Sequence, residues 1–179
     1  MPDRAPPTTL HRWRLGDAGT SQPFVSIALS STNQRGQLLS NSHVSFPSVP
    51  GAAPARGRYS HVAVAAAGRT AYIAGQLSLN GSGDIVGAGD FEAQVRQVIS
   101  NLKLVLDSLG ASFADVAKFT TFLVDSHDIP EFMRVRTELW AEIFPDGVYP
   151  GNTLLVVDRL VEEPFLVEIE AIVALADNS

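Results

Sequence analysis

The stretch Asp90–Gly110, DFEAQVRQVISNLKLVLDSLG, decides the fold class because it contains the clearest helix signal in the chain. Asp90 is a suitable N-cap, and Gly110 is suitable just past the C-terminus. Apolar residues recur every three or four positions over about five turns, at Phe91, Val95, Val98, Ile99, Leu102, Val105, Leu106 and Leu109. The spacing predicts an amphipathic helix.

The residues before this helix predict a β-hairpin. Tyr59–Ala67 and Thr70–Gly75 have the composition of short strands, and Gly68-Arg69 between them suits a tight turn. A turn-forming cluster follows, and Ile85–Gly87 is a candidate for one more brief strand.

A second helix is expected after residue 127. Asp128 is a good N-cap, Pro130 lies in the first turn where its missing N–H costs nothing, and Glu131 completes a pair resembling a capping box. An apolar stripe follows, made of Phe132, Val135, Leu139, Ile143 and Phe144.

Three more strands complete the predicted order of elements. Val116–Val124 has the β-branched and aromatic content of a buried strand, and Thr153–Val157 and Leu166–Leu175 are two further strands. From residue 60 the order is ββ(β)αβαββ, which predicts an α+β fold: a mostly antiparallel sheet with both helices on one face.

Composition limits the class of protein. The chain has 179 residues and a mass of 19.1 kDa, enough for one ordinary domain. It contains no cysteine, which excludes disulfides, cysteine-bound zinc and thiol nucleophiles, and it lacks an apolar run long enough to span a membrane. The net charge of −6 argues against a general grip on nucleic acid. We therefore expect an intracellular, cytoplasmic protein.

The N-terminal third differs from the rest. Residues 1–60 carry a net charge of +4, against −10 for residues 61–179. We interpret residues 1–55 as a Pro-, Ser- and Arg-rich extension and residues 56–179 as the folded domain. Within the extension, Phe24–Leu29 could add an edge strand, and an organellar transit peptide is the less favoured alternative.

The histidines do not predict a metal site. The four at positions 11, 43, 61 and 127 lack the spacing of a helical metal site. Ser60 and His61 are adjacent on a predicted strand, so their side chains point to opposite faces and do not form a simple nucleophile and base pair.

Glu168 and Glu170 are the most informative charged residues. They alternate with apolar residues on the last strand, so both carboxylates face the same side of the sheet, about 7 Å apart. A solvated sheet face explains that pattern equally well. However, Ile172 and Ala174 continue the same face, and a face that turns from polar to apolar suits a cleft or a subunit interface.

Several short segments together resemble the Rid family, also called YjgF-type or L-PSP proteins, over about residues 57–176. The matching segments are Tyr59-Ser60-His61, Ala74-Gly75-Gln76, Asp90–Val98, Asn101-Leu102 and Val167–Ile172. The resemblance implies a chorismate-mutase-like α+β fold, a homotrimer with a cleft at each subunit interface, and a small-molecule substrate. It also implies cofactor-independent hydrolysis of reactive imines and enamines to a ketone and ammonia.

The resemblance also assigns site residues. Tyr59 matches the tyrosine of the cleft, Gly75 matches backbone that approaches the substrate, and Glu168 matches the glutamate that orients the attacking water. The expected catalytic residues are thus Glu168 and Tyr59. The expected substrate-binding residues are Ala74, Gly75, Gln76, Asn152 and Thr153.

Two positions depart from the family pattern. Ala74 stands where the family has a serine, and Asn152 stands where deaminating members have an arginine that grips the substrate carboxylate. Losing such a charged contact costs about 2–5 kcal/mol, so we expect weak activity on imines that carry a carboxylate. Met133-Arg134-Val135-Arg136 occupies a helical stretch where the family often has an asparagine.

Two other functions stay open. One is a trimer without catalytic activity that binds a metabolite or a protein in the interface cleft. The other is an endoribonuclease, which the L-PSP name suggests but which the acidic domain and the lack of a histidine pair disfavour.

Overall fold

A four-stranded sheet and two helices form the body of the protein. The computed structural model describes residues 43–176, which belong to one compact unit. The predicted strand Phe24–Leu29 and the proposed transit peptide lie outside the described residues. No helix within residues 43–176 is both long enough and apolar enough to span a bilayer.

The sheet places the last strand in its interior. Two short strands, β1 (Val44–Ser45) and β2 (Val64–Ala65), pair separately. The sheet itself is formed by β3 (Arg69–Gln76), β4 (Val116–Leu123), β5 (Gly151–Val156) and β6 (Val167–Leu175). Its order is β3-β6-β4-β5, in which β6 is antiparallel to both neighbours and β4 and β5 are parallel. The predicted α+β class is confirmed.

The first helix begins and ends where the sequence predicts. Helix α1 spans Phe91–Ser108, and the Asp90 carboxylate accepts a hydrogen bond of 3.0 Å from the backbone N–H of Ala93. Gly110, just past the helix, has a φ of +66°, a conformation that glycine adopts without strain.

The second helix also forms, but its predicted capping box is wrong. Helix α2 spans Ile129–Ile143, and Asp128 makes no side-chain capping bond. The reason is that Asp128 is itself helical, at the end of a one-turn 3₁₀ helix. The cap lies further upstream, where the Asp125 carboxylate accepts from the N–H of His127 at 2.8 Å.

The predicted hairpin of Tyr59–Ala67 with Thr70–Gly75 is wrong. Only Val64 and Ala65 of the first segment are in a strand, and they pair with β1 rather than β3. The backbone N–H of Ser60 donates to the carbonyl of Pro150 at 3.2 Å, which holds this segment beside the start of β5. This segment therefore forms its backbone hydrogen bonds with β1 and Pro150 instead of with β3. In the region around Ile85, the structure has a single bridge to Leu79 instead of a strand.

The two faces of the sheet have different environments. On β6, Val167, Ile169, Ala171 and Val173 are at most 3% exposed and belong to the core that the helices cover. Fully burying a side chain such as valine or isoleucine contributes about 1.5–3 kcal/mol. The alternate residues Glu168, Glu170 and Ile172 lie on the opposite face, as their pattern predicts.

Candidate active site

Glu168 lies over the backbone of Gly75, on the face of the sheet away from the core. The β3–β6 pairing shifts register between Ile73 and Gln76, so the bulged strand brings Gly75 under the glutamate. A Cβ built on Gly75 would lie 2.8 Å from Cγ of Glu168 and closer still to its carboxylate. The missing side chain at Gly75 therefore provides the space that the carboxylate occupies.

The environment of Glu168 favours its protonated form. Partial burial raises the pKa of its carboxyl, and the negative charge of Glu170 raises it further. Among residues 43–176, no hydrogen-bond donor reaches this carboxylate. A partly desolvated carboxylate with both oxygens unbonded is suited to orient a water molecule and to accept its proton.

A side chain of the bulge itself stabilises the bulge next to Glu168. The Gln76 amide donates from Nε2 to the backbone carbonyl of Ala74 at 3.0 Å. Ala74 is exposed and offers no hydroxyl. Four predicted site positions, Ala74, Gly75, Gln76 and Glu168, are thus brought together in one part of the sheet.

Asn152 lies on the other face of the sheet. It is opposite Phe119, a core residue, whereas Glu168 is opposite Phe122 on the same central strand, three positions further along. Odd spacing along a strand places the two side chains on opposite faces. The Asn152 carbonyl Oδ1 accepts a hydrogen bond of 3.1 Å from the Thr121 hydroxyl, which is buried. Within one chain, Asn152 does not face Glu168.

Two other predicted site residues, Tyr59 and Thr153, lie in or beside β5. Thr153 is opposite Thr120 and so shares the face of Glu170. Tyr59 packs its ring against His61, with centroids 5.7 Å apart in an edge arrangement, and its backbone N–H donates to the Gly57 carbonyl at 3.1 Å. The predicted site residues therefore form two groups in the single chain, one at Gly75 and Glu168 and one at the start of β5.

Arg136, which is not among the predicted site residues, lies beside the second group. Arg136 is 4% exposed, and its Nε and Nη1 have no hydrogen-bond partner among residues 43–176. A signal was present in the sequence. Arg136 stands four residues after Phe132 and three before Leu139, so it lies within the apolar stripe of α2.

A metal centre finds no support in this part of the chain. Residues 43–176 contain no group of three or more His, Asp or Glu side chains placed to hold a metal ion. His61 bonds through Nε2 to the Ala53 carbonyl, and His127 bonds through Nδ1 to Asp125, each at 2.8 Å.

Comparison with known proteins identifies the family. Residues 50–175 match the family model described as Endoribonuclease L-PSP. The chain belongs to this family. The predicted resemblance to Rid proteins is thereby confirmed, and the two glutamates of the last strand fall inside the matched region.

Curated relatives within the L-PSP family include named deaminases. The chain is 38% identical over 107 residues to a RutC family protein of Pyrococcus horikoshii, covering 59% of this chain and 79% of the relative. It is 34% identical over 91 residues to the 3-aminoacrylate deaminase RutC of Acinetobacter baylyi, covering 51% and 72%. It is 29% identical over 103 residues to a 2-iminobutanoate/2-iminopropanoate deaminase of Dermatophagoides farinae, covering 58% and 80%.

Solved structures agree with this membership. A Rid family protein, YyfB from Yersinia pestis, superposes with a TM-score of 0.66 at 33% identity, covering 74% of this chain and 99% of that protein. The L-PSP fold is therefore shared, including the sheet that carries Glu168.

Proposed function

We propose that this protein is a cofactor-independent hydrolase that deaminates a small imine or enamine, working as a homotrimer with its site at the subunit interface. The observation that carries the proposal is the Glu168 carboxylate, held over the bare backbone of Gly75 with a raised pKa. The two relatives named as deaminases support the reaction class.

The reaction follows from what a partly desolvated carboxylate can do. An enamine first tautomerises to its imine, which reacts in its protonated form. Water attacks the imine carbon, the C=N electron pair moves to nitrogen, and Glu168 accepts a proton from the water. Glu168 then returns that proton to the nitrogen of the carbinolamine. The C–N bond breaks, ammonia leaves, and the hydroxyl loses its proton as the ketone forms. General base catalysis of this kind contributes about 10²–10⁴-fold.

The trimer explains why the site residues form two groups. Asn152 lies at the start of β5, on the sheet face opposite Glu168, and Tyr59 lies beside that strand because Ser60 bonds to Pro150. A cleft between subunits is the arrangement in which both groups can serve one substrate. Asn152 itself offers a carboxylate only a neutral contact. If the amide were the sole partner of the carboxylate, turnover of carboxylate-bearing imines would be weak.

The test is release of ammonia and ketone from 2-iminobutanoate or 2-aminoacrylate generated in the assay at pH 8. We expect hydrolysis above the rate in buffer, reduced about 10²–10⁴-fold in Glu168→Gln. Glu170→Gln is the matched control, because it removes a neighbouring carboxylate two residues along the same face. Equal losses in the two variants, or no loss in Glu168→Gln, would contradict the proposed role.

The alternative is a trimer that binds a metabolite or a protein without catalysis. One observation favours it: the hydroxyl and the guanidinium of the family pattern are replaced by Ala74 and by an Asn152 already bonded to Thr121. Absence of hydrolysis, combined with saturable binding of a small acid, would support this alternative. The endoribonuclease alternative lacks such support, since His61 and His127 bond to separate partners rather than to each other.

A further inference from the structure

The guanidinium of Arg136 is buried without the partners that such a group requires. It is 4% exposed, and Nε and Nη1 donate no hydrogen bond to any residue in the range 43–176. Its remaining contacts are weak: Nη2 donates to the Met133 sulfur at 3.0 Å, and the charge lies 5.3 Å from the centre of the Phe132 ring. Buried polar groups are nearly always hydrogen-bonded, so an unpaired buried guanidinium indicates a missing acceptor.

A second cation makes the charge imbalance larger. Burial lowers the pKa of Arg136, and the positive charge of Arg58 lowers it further. Arg58 donates from Nη1 to the Tyr149 hydroxyl at 3.0 Å and stacks over that ring. No carboxylate within residues 43–176 forms an ion pair with either arginine. The repulsion between two neighbouring cations is unfavourable, and a bound anion would offset it.

The position of Arg136 connects it to the second group of site residues. The Cβ position of Gly57 is 3.2 Å from Nη2 of Arg136 and 3.8 Å from the Tyr59 ring. Gly57 thus lies between the guanidinium and the predicted cleft tyrosine, and it covers the charge with backbone alone. The residue after Tyr59 is Ser60, whose backbone N–H donates to the carbonyl of Pro150, two residues before Asn152.

We propose that Arg136, assisted by Arg58, binds the carboxylate of the substrate, and that it supplies in this chain the positive charge that Asn152 lacks. The inference rests on the proposed function for the identity of the reacting molecule. A guanidinium presents parallel N–H donors that match both oxygens of a carboxylate. The unbonded Nε and Nη1 provide such donors. The substrate class is then a small imino acid rather than a neutral imine.

Direct binding tests the site without requiring turnover. The probes are 2-oxobutanoate, the ketone product of 2-iminobutanoate, and 2-butanone, which lacks the carboxylate, each titrated calorimetrically into the full-length protein. We expect 2-oxobutanoate to bind and 2-butanone to bind at least about tenfold more weakly. Arg136→Met should lose at least about tenfold in affinity for 2-oxobutanoate only. Arg134→Met, two residues along the same helix and ion-paired at the surface, should bind like the wild type.

Folding does not confound this comparison. Replacing a buried, unpaired charge with an apolar side chain of similar length is often neutral or stabilising, so Arg136→Met should melt at or above the temperature of the wild type. Arg136→Lys keeps the positive charge but loses the parallel N–H donors of the guanidinium. It should bind 2-oxobutanoate more weakly than the wild type but more tightly than Arg136→Met.

Kinetics separate this inference from the proposed function. Arg136→Met should raise KM for 2-iminobutanoate while leaving kcat within about threefold. Unchanged affinity in Arg136→Met, or no binding of 2-oxobutanoate by the wild type, would overturn the Arg136 site. A tenfold gain in kcat/KM on Asn152→Arg, with Arg136→Met silent, would overturn it as well. Binding that depends on Arg136 with no ammonia released would support the site while refuting the hydrolase.

Discussion

Tyr72 lies directly opposite Ile172 on the sheet face away from the core, and both side chains are exposed, Tyr72 by 79% and Ile172 by 38%. An aromatic and a β-branched residue that face each other across antiparallel strands form a favourable pair. Leu155 on the same face is also exposed. Apolar groups that face one way on a sheet are typical of a surface that another subunit covers.

This pair predicts where the proposed trimer can be disrupted. Tyr72→Glu should convert the protein to monomers at micromolar concentration, because it places a charge in an apolar interface. Leu104→Glu is the control, since Leu104 is 64% exposed on α1, in the other layer, and should not affect assembly. Light scattering measures both masses. A wild type that is already monomeric, or a trimeric Tyr72→Glu variant, would rule out this interface.

The packing of Glu168 on Gly75 predicts a second effect. Gly75→Ala should displace the carboxylate and reduce kcat/KM at least tenfold, with a loss of about 1–3 kcal/mol in the free energy of unfolding because the added methyl overlaps the glutamate. Gly81→Ala should change neither property, since nothing lies within 4 Å of its Cβ position.

The double variant Gly75→Ala with Glu168→Ala separates the two consequences. Truncating the glutamate removes the overlap, so thermal unfolding should return toward that of Glu168→Ala alone, while activity stays low. If the double variant is no more stable than Gly75→Ala alone, strain in the bulged backbone rather than Glu168 is responsible.

The pKa of Glu168 predicts the acid limb of the pH–rate profile. The base must be ionised, so kcat/KM should fall as the pH decreases through the raised pKa. Glu170→Gln removes one cause of the shift and should move this limb to lower pH. Stability follows the opposite direction: a raised carboxyl pKa makes the folded state relatively more stable at low pH, and this advantage is lost as the pH rises through the pKa. Glu168→Gln should abolish that part of the dependence, measured by urea unfolding at several pH values.

The contact between the helices predicts a salt effect. Glu92 of α1 pairs with Arg134 of α2 and with Arg96, and Arg96 reaches Glu138 of α2 at 2.7 Å. These arginines lower the pKa of Glu92, so the contribution is present at neutral pH and is lost as the pH falls through that lowered value. Glu92→Gln should lower Tm slightly at low salt, and the difference should shrink in 1 M NaCl. A difference independent of salt would point to packing instead.

Periodicity was sufficient to predict both helices, the three later strands and the shared face of Glu168 and Glu170, because those features depend on which side of a local element is buried. Pairing partners were not predictable in the same way. Tyr59–Ala67 has the composition of a strand, yet its backbone bonds go to β1 and to Pro150, both distant in sequence. The surroundings of Arg136 were not predictable for a similar reason, since the partners of a charged residue within an apolar stripe are set by segments distant in sequence.

The interior position of β6 has a consequence for how the chain folds. Its partner β3 lies roughly a hundred residues earlier, and until residues 167–175 have left the ribosome, β3 and β4 each present an unpaired edge toward the place that β6 will fill. Contacts of such long sequence separation form slowly, and open edges invite pairing with other chains in the meantime. The same segment carries Glu168, so a nascent chain acquires an interior strand of the sheet and the proposed catalytic carboxylate in a single step.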